Sequence, residues 1–311
     1  MRKIFGILII ILIILGFTIF YEISRTPQSI TQDNFSKIYS MSIIGKYQSD
    51  SAYSIGEIYY SNSSVFISPF LWNMKYAKGL VNMTYNKFLY VNVALNSFKK
   101  INPKIGVDGY PGLMYGQECW FPFAGKTIEN SIYLPIGMSS LSNFSSTLSF
   151  HLYNNIGIID DFSYDIWLSQ NPNTTYLKYP DIELMIWLYH DENLTSPFIR
   201  VGNISLTLIV NGTKIIDNFN VYILPHTGSA DGWIGVYYVS QKELEGNVSI
   251  PLSFIIKNEF SWISKIFHNI SSSEYYLDGI QVGMEFNDIN GTANLGYTLY
   301  LWEINSQKLI N

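Results

Sequence analysis

The chain is 311 residues long, 48% hydrophobic and 16% aromatic, with only 14% charged residues and a formal net charge of −5. That composition excludes a disordered chain, and the lack of a Lys/Arg block beyond the first three residues excludes a nucleic-acid partner, whose phosphates need a basic stripe. A single cysteine, Cys119, excludes an intrachain disulfide, and the dispersed His151, His190, His226 and His268, without HExxH or paired spacing, offer no metal site.

In chain order, the first element is an export signal. Met1-Arg2-Lys3 precedes an uncharged apolar run over residues 4–20. A basic start and a run of that length fit a signal peptide or a short signal anchor, since a spanning helix needs about 20 apolar residues. Residues 1–25 are therefore assigned to the leader, cleaved or retained, and the rest to the extracellular side or the cell surface. Any membrane contact would run through this segment alone. Residues 26–40 read as a short polar tether. Eleven N-x-S/T sequons from Asn34 to Asn290 predict a glycosylated surface. The Ile-, Tyr- and Asn-rich, Lys-poor composition has the character of an archaeal surface protein.

Residues 41–311 read as one domain. Short runs of Val, Ile, Tyr, Phe, Trp and Thr are broken by Gly, Pro, Asn and Ser clusters, as in "KFLYVNVAL", "ISLTLIVNG" and "GWIGVYYVS". Strands of this length and spacing predict an all-β sandwich or barrel. No GxGxxG, P-loop or GxSxG occurs, so no cofactor is expected. One segment departs from the pattern: Leu252, Ile255, Ile256, Phe260, Ile263 and Phe267 fall on one face of a helix opening at Pro251, expected to pack outside one sheet.

Three strands carry an acid in an apolar setting. Side chains at i and i+2 of a strand share a face. In "DIELMIWLYH" (181–190), Ile182, Leu184, Ile186 and Leu188 form a core stripe, while Glu183, Met185 and Trp187 form the other face. In "SYDIWLS" (163–169), Tyr164, Ile166 and Leu168 oppose Ser163, Asp165, Trp167 and Ser169. In "DGIQVGMEFND" (278–288), Ile280, Val282, Met284 and Phe286 oppose Gln281, Gly283, Glu285 and Asn287. Apolar and aromatic side chains with a few placed acids suit a ligand groove, and paired carboxylates suit glycoside hydrolysis. On alternation alone, isolated acids on solvated faces remain the alternative.

Several motifs in order resemble glycoside hydrolase family 12. "ELMIWL" is similar to the family's nucleophile strand, "SYDIWLSQNPN" to its Tyr-Asp strand, and "VGMEF" to the strand of its acid/base Glu. The helix at 251–267 stands where the family keeps its one helix, and "FLWNMKYAKG" resembles the family's front motif. The resemblance runs from about residue 45 to the end and implies a jelly roll of two antiparallel sheets with a concave substrate cleft and one packed α-helix. It further implies a monomeric, retaining endo-β-1,4-glucanase acting on β-glucan, with Glu183 as nucleophile, Glu285 as general acid/base and Asp165 as the acid that orients Glu183. Trp72 would stack sugar, unless it is a core Trp. Met185 and Trp187 would line the floor, Trp120 would be a platform or simple packing, and Tyr176 or Tyr179 would border the cleft. Phe70 stands where the family commonly has Asn. Phe286 and Asn287 follow Glu285 where a Pro often stands, which makes Asn287 a candidate for substrate preference. A non-catalytic carbohydrate-binding jelly roll and a structural surface subunit are the other readings. The low charge content predicts tolerance of acid and an acidic optimum.

Overall fold

The computed structural model describes residues 36–46, 56–59, 64–117, 119, 132–191, 194–227 and 231–305. The expected leader, Trp120, and the sequons at Asn34, Asn62 and Asn193 lie outside the described residues. The strands are β1 (Ser36–Lys46), β2 (Gly56–Tyr59), β3 (Ser64–Ser68), β4 (Met74–Asn86), β5 (Phe88–Lys100), β6 (Gly112–Gly116), β7 (Ile136–Gly137), β8 (Ser145–Ile156), β9 (Ile158–Ser169), β10 (Ile182–Tyr189), β11 (Ile199–Val210), β12 (Thr213–Leu224), β13 (Ile234–Ser240), β14 (Gly246–Ile250), β15 (Tyr276–Asn287) and β16 (Ala293–Asn305), with one helix, α1 (Leu252–Ile263), before β15.

Hydrogen bonds link the strands in the order β1-β4-β5-β16-β8-β14-β11-β12-β13-β10-β9-β15-β6-β3-β2, with β7 beside β15. The two faces of the jelly roll are thus joined along one path through the β11–β12 hairpin. The pairs are antiparallel except β10 with β13, which run parallel because the connection from β10 to β11 crosses over and keeps the strand direction. Strand β1 pairs with β4 from Ser36 to Lys46, so sheet pairing takes in residues whose polarity had suggested a tether.

The core lies between the β4-β5-β16-β8 half and the β13-β10-β9-β15 half. Phe150 of β8 stacks on Phe162 of β9 at 4.1 Å, and Phe162 meets Tyr297 of β16 edge-on at 5.1 Å. Polar tips buried by the same packing find partners, as burial requires: the Tyr164 hydroxyl donates to Ser146 Oγ at 2.9 Å and the Tyr297 hydroxyl to Pro111 O at 3.1 Å. The predicted stripes of β9, β10 and β15 all face this core. Ile182, Leu184, Ile186 and Leu188 are fully buried in it, as are Tyr164, Ile166, Leu168, Ile280, Val282, Met284 and Phe286. At about 1.5–3 kcal/mol per buried large apolar side chain, this half-pattern alone fixes the register of the three strands.

The helix is shorter than its periodicity suggests. Ser261 and Ser264 turn their hydroxyls onto the carbonyls of Asn258 and Ser261, competing with the helical ladder, and only isolated turns continue to Phe267. Its apolar face is not an outer layer: Leu252, Ile255, Ile256, Phe260 and Ile263 join the main core, with Phe260 against Tyr275 at 5.3 Å.

Candidate functional site

The second faces of β10, β9 and β15 lie side by side, because β9 stands between the other two. Glu183 is opposite Trp167, and Met185 is opposite Asp165. Asp165 is in turn opposite Gln281, Ser163 opposite Gly283, and Asp161 opposite Glu285. On the far side of β10, Gly235 and Tyr237 of β13 flank Glu183 and Met185. The three predicted acids therefore share one face, and a fourth, Asp161, joins them.

That face is recessed. Glu183 is 9% exposed and Asp165 5%, although both point away from the core. Loops carrying Phe70, Trp72, Phe198 and Tyr110 pack over Met185, Trp187 and Tyr237. Gly112 and Gly283 bring β6 and β15 together behind the acids; a Cβ on Gly283 would lie 2.8 Å from Pro111 O. The approach is one only glycine permits.

Glu183 is held by two donors. Trp233 Nε1 and the Tyr237 hydroxyl both donate to its Oε2, at 3.1 and 3.0 Å. Burial pushes the Glu183 carboxyl up to about 7, and these two hydrogen bonds oppose the rise by favouring the charged form. Tyr237 itself is driven well above its ordinary value, by burial first and then by the charge of Glu183, so it stays a donor.

Glu285 has a different environment. Its carboxyl is raised well above the ordinary range, first by burial, then by the charge of Asp161. Asp161, fully buried, is likewise pushed up to about 7 by burial. Burial and the mutual repulsion of two adjacent carboxylates both favour a proton on this pair. The face thus combines a carboxyl group held by neutral donors with a pair that favours a proton.

The remaining predicted residues separate. Trp72 is half-buried and packs against the cluster that contains Met185 and Trp187. Met185 and Trp187 are 3% and 6% exposed, so they underlie the floor rather than offer open stacking surfaces; Trp187 meets Tyr237 edge-on at 6.2 Å. Asn287 stays on the Glu285 face by alternation, and its Oδ1 accepts from Lys100 Nζ at 2.6 Å. Tyr176 and Tyr179 are exposed on the loop before β10, and Tyr179 leans on His226 and Phe267.

Trp233, Tyr237 and Asp161 were not singled out from the sequence. The alternation used for three strands would have found Tyr237 in "IGVYYVS" and Asp161 two positions before Ser163. Trp233 sits in the loop ahead of β13, and no periodic signal reaches it. Among the described residues no group of three His, Cys, Asp or Glu side chains is placed to hold a metal ion. A recess of about 380 Å³ lined by Ser149, His151, Glu245 and Tyr300 lies in the other half of the fold, away from these acids.

Solved structures share this fold at low identity. A family 12 xyloglucanase from Bacillus licheniformis in complex with ligand is 15% identical at a TM-score of 0.56, covering 86% of this chain and 99% of its own. Endoglucanase 3 from Trichoderma harzianum is 18% identical at 0.55, covering 89% and 100%, and an endoglucanase from Rhodothermus marinus is 16% identical at 0.55, covering 78% and 91%. No curated protein sequence matches the chain. The family model for glycosyl hydrolase family 12 matches residues 64–306, a span holding the core stripes and all four acids. The chain belongs to glycosyl hydrolase family 12 and is a glycoside hydrolase.

Proposed function

We propose that this enzyme is a retaining endo-β-1,4-glucanase that cleaves internal bonds of β-glucans by double displacement. The observation that carries the reading is the placement on one recessed face of Glu183, held by Trp233 and Tyr237, and of Glu285 opposite Asp161. Trp233 and Tyr237 occupy Oε2 of Glu183 and leave Oε1 to attack the anomeric carbon. As the glycosidic bond breaks, Glu285 gives its proton to the departing oxygen, and a glycosyl ester forms on Glu183. Water then attacks the same carbon while Glu285 takes its proton, which frees Glu183 and restores Glu285. Asp165, one register step from Glu183 across β9, serves as the acid that orients it. Trp72 offers the half-exposed ring on which a sugar can stack. No cofactor takes part in these steps.

The relatives described as xyloglucanase and endoglucanase support β-glucan as the substrate class. The test is release of reducing ends from soluble carboxymethyl-cellulose, xyloglucan and mixed-linkage glucan, with viscosity followed in parallel. An early viscosity drop with few ends released is the expected endo signature. A carbohydrate-binding protein without catalysis would bind glucan and release nothing, which would refute the proposal.

Asp161 bears directly on the acid. Replacing it by Asn removes the neighbouring charge that raises Glu285. We expect Asp161→Asn to lower the Glu285 pKa, read by carbon-13 NMR titration of the labelled carboxyl. An unchanged Glu285 titration would remove Asp161 from the acid machinery.

An acidic working range and export belong to the same reading. The described residues carry few ion pairs, Lys100 with Asp108 and Asp288 and His151 with Glu245, so acid has little to break. Burial of Glu183 works the other way on rate, since the nucleophile must lose its proton. The rate optimum therefore lies above the pH of greatest stability. None of the sequon asparagines among the described residues is buried, which supports glycan attachment on an exported chain.

A further inference from the structure

Lys100 ends β5, far in sequence from the acids, yet its ammonium meets the segment that follows Glu285. Its Nζ donates to the Gly106 carbonyl, to Asn287 Oδ1 at 2.6 Å, and to Asp108 Oδ1 at 2.9 Å; Asp288 Oδ1 lies 3.9 Å away. Three acceptors thus satisfy its three N–H groups. The Lys100 side chain is 14% exposed and that of Asp108 fully buried, so neither charge can be left alone without a large penalty.

The pair is joined to the site on two sides. Asp108 Oδ2 accepts the Asp288 N–H at 2.8 Å, and the Asp108 N–H donates to Phe286 O at 2.8 Å. Gly109 bridges to Phe286 as well. Phe286, Asn287 and Asp288, the three residues after Glu285, are therefore all held by this cluster. On the other side, the Asn73 N–H donates to Asp108 O at 3.2 Å, and its side-chain amide donates to Asn102 O and Val107 O at 3.2 and 2.8 Å. Asn73 follows Trp72 directly. Gly109 approaches this turn so closely that a Cβ would lie 2.7 Å from Leu71 Cα and from Phe70 O.

We propose that Lys100, through its buried pairing with Asp108, is a positioning residue that sets where Glu285 and Trp72 stand relative to each other. The inference rests on the reading of Glu285 as general acid. Without the ammonium, Asp108 and Asp288 face each other uncompensated, and the backbone of 286–288 loses its anchor. A misplacement of about 1 Å at a catalytic group can cost about a hundredfold in rate.

Leaving-group dependence separates this role from simple destabilisation. A dinitrophenyl cello-oligoside departs without a proton, whereas the unsubstituted phenyl glycoside needs one from Glu285. Folded Lys100→Met is expected to lose about tenfold or more in kcat/KM, which reports the glycosylation step, on the phenyl substrate and less than about twofold on the dinitrophenyl one. Asp108→Asn should show the same split and decides the matter where Lys100→Met does not fold. Equal losses on both substrates, or wild-type rates on both, overturn the proposal. Glu285→Gln, run alongside, must show the split most strongly. If it shows none, the assignment of Glu285 fails and this proposal falls with it. If it shows the split and the Lys100 and Asp108 variants do not, only the positioning role falls.

Discussion

Glu183→Gln is expected to fold with a melting temperature at least equal to that of the wild type and to lose turnover by on the order of 10⁴-fold or more. The amide keeps an oxygen to accept from Trp233 Nε1 and the Tyr237 hydroxyl, so the local packing survives. It cannot attack an anomeric carbon, so the glycosyl ester never forms. The variant also removes a buried ionisable group, and the stability cost of charging it disappears with it. Soluble carboxymethyl-cellulose with a reducing-end assay reads the loss. Near-wild-type turnover by the folded variant would remove Glu183 from the nucleophile role.

The second large effect concerns stability and pH. Glu259 of α1 is fully buried with no hydrogen-bond partner for either carboxylate oxygen, and burial raises its pKa well above the ordinary value. Asp278 of β15, also fully buried, is pushed up to about 7, by burial first. In the unfolded chain both groups titrate near pH 4. The folded chain therefore binds more protons than the unfolded one between about pH 4 and 7. The stability they contribute is fully present below about 4 and is lost as pH rises through about 7 and beyond.

At about 1.4 kcal/mol per pKa unit, Asp278 alone accounts for on the order of 4 kcal/mol between those limits. Scanning calorimetry should give a melting temperature about 10 °C higher at pH 4.5 than at pH 8. Glu259→Leu should stabilise the protein at pH 8 more than at pH 4.5 and flatten the slope. A melting temperature equal or higher at pH 8 would contradict this account.

The sequence alone pointed to acid tolerance because so few charges are available for ion pairing. The fold adds a second and stronger reason: burial pushes Glu259 and Asp278 towards the neutral form. That could not be read from composition, because Glu259 on a helix and Asp278 at a strand start look like ordinary surface acids until burial is known. By contrast, the two-residue period placed Ile182 to Leu188 of β10 on their correct faces, Ile182 in the core and Trp187 beneath the site, since one wrong step would put four large apolar residues in the recess.

What the period could not supply was register between strands. Asp161 becomes a partner of Glu285 only because β9 and β15 pair at that step. Trp233 reaches Glu183 from a loop, and Asn287 is captured by Lys100 from the end of β5. These are long-range contacts set by the whole fold. The parallel β10–β13 pair and the early start of β1 belong to the same class, since neither is written in local polarity.

The central claim is that Glu183 becomes covalently glycosylated. A 2-deoxy-2-fluoro cello-oligoside with a dinitrophenyl leaving group slows both steps but lets the first proceed, so the ester accumulates. Mass spectrometry of the digested protein should then show one added fluoroglycosyl group on the peptide containing Glu183, and none on that peptide in Glu183→Gln. A label on the Glu285 peptide instead, or rapid hydrolysis of the reagent's non-fluorinated parent with no trapped peptide at all, would contradict the account.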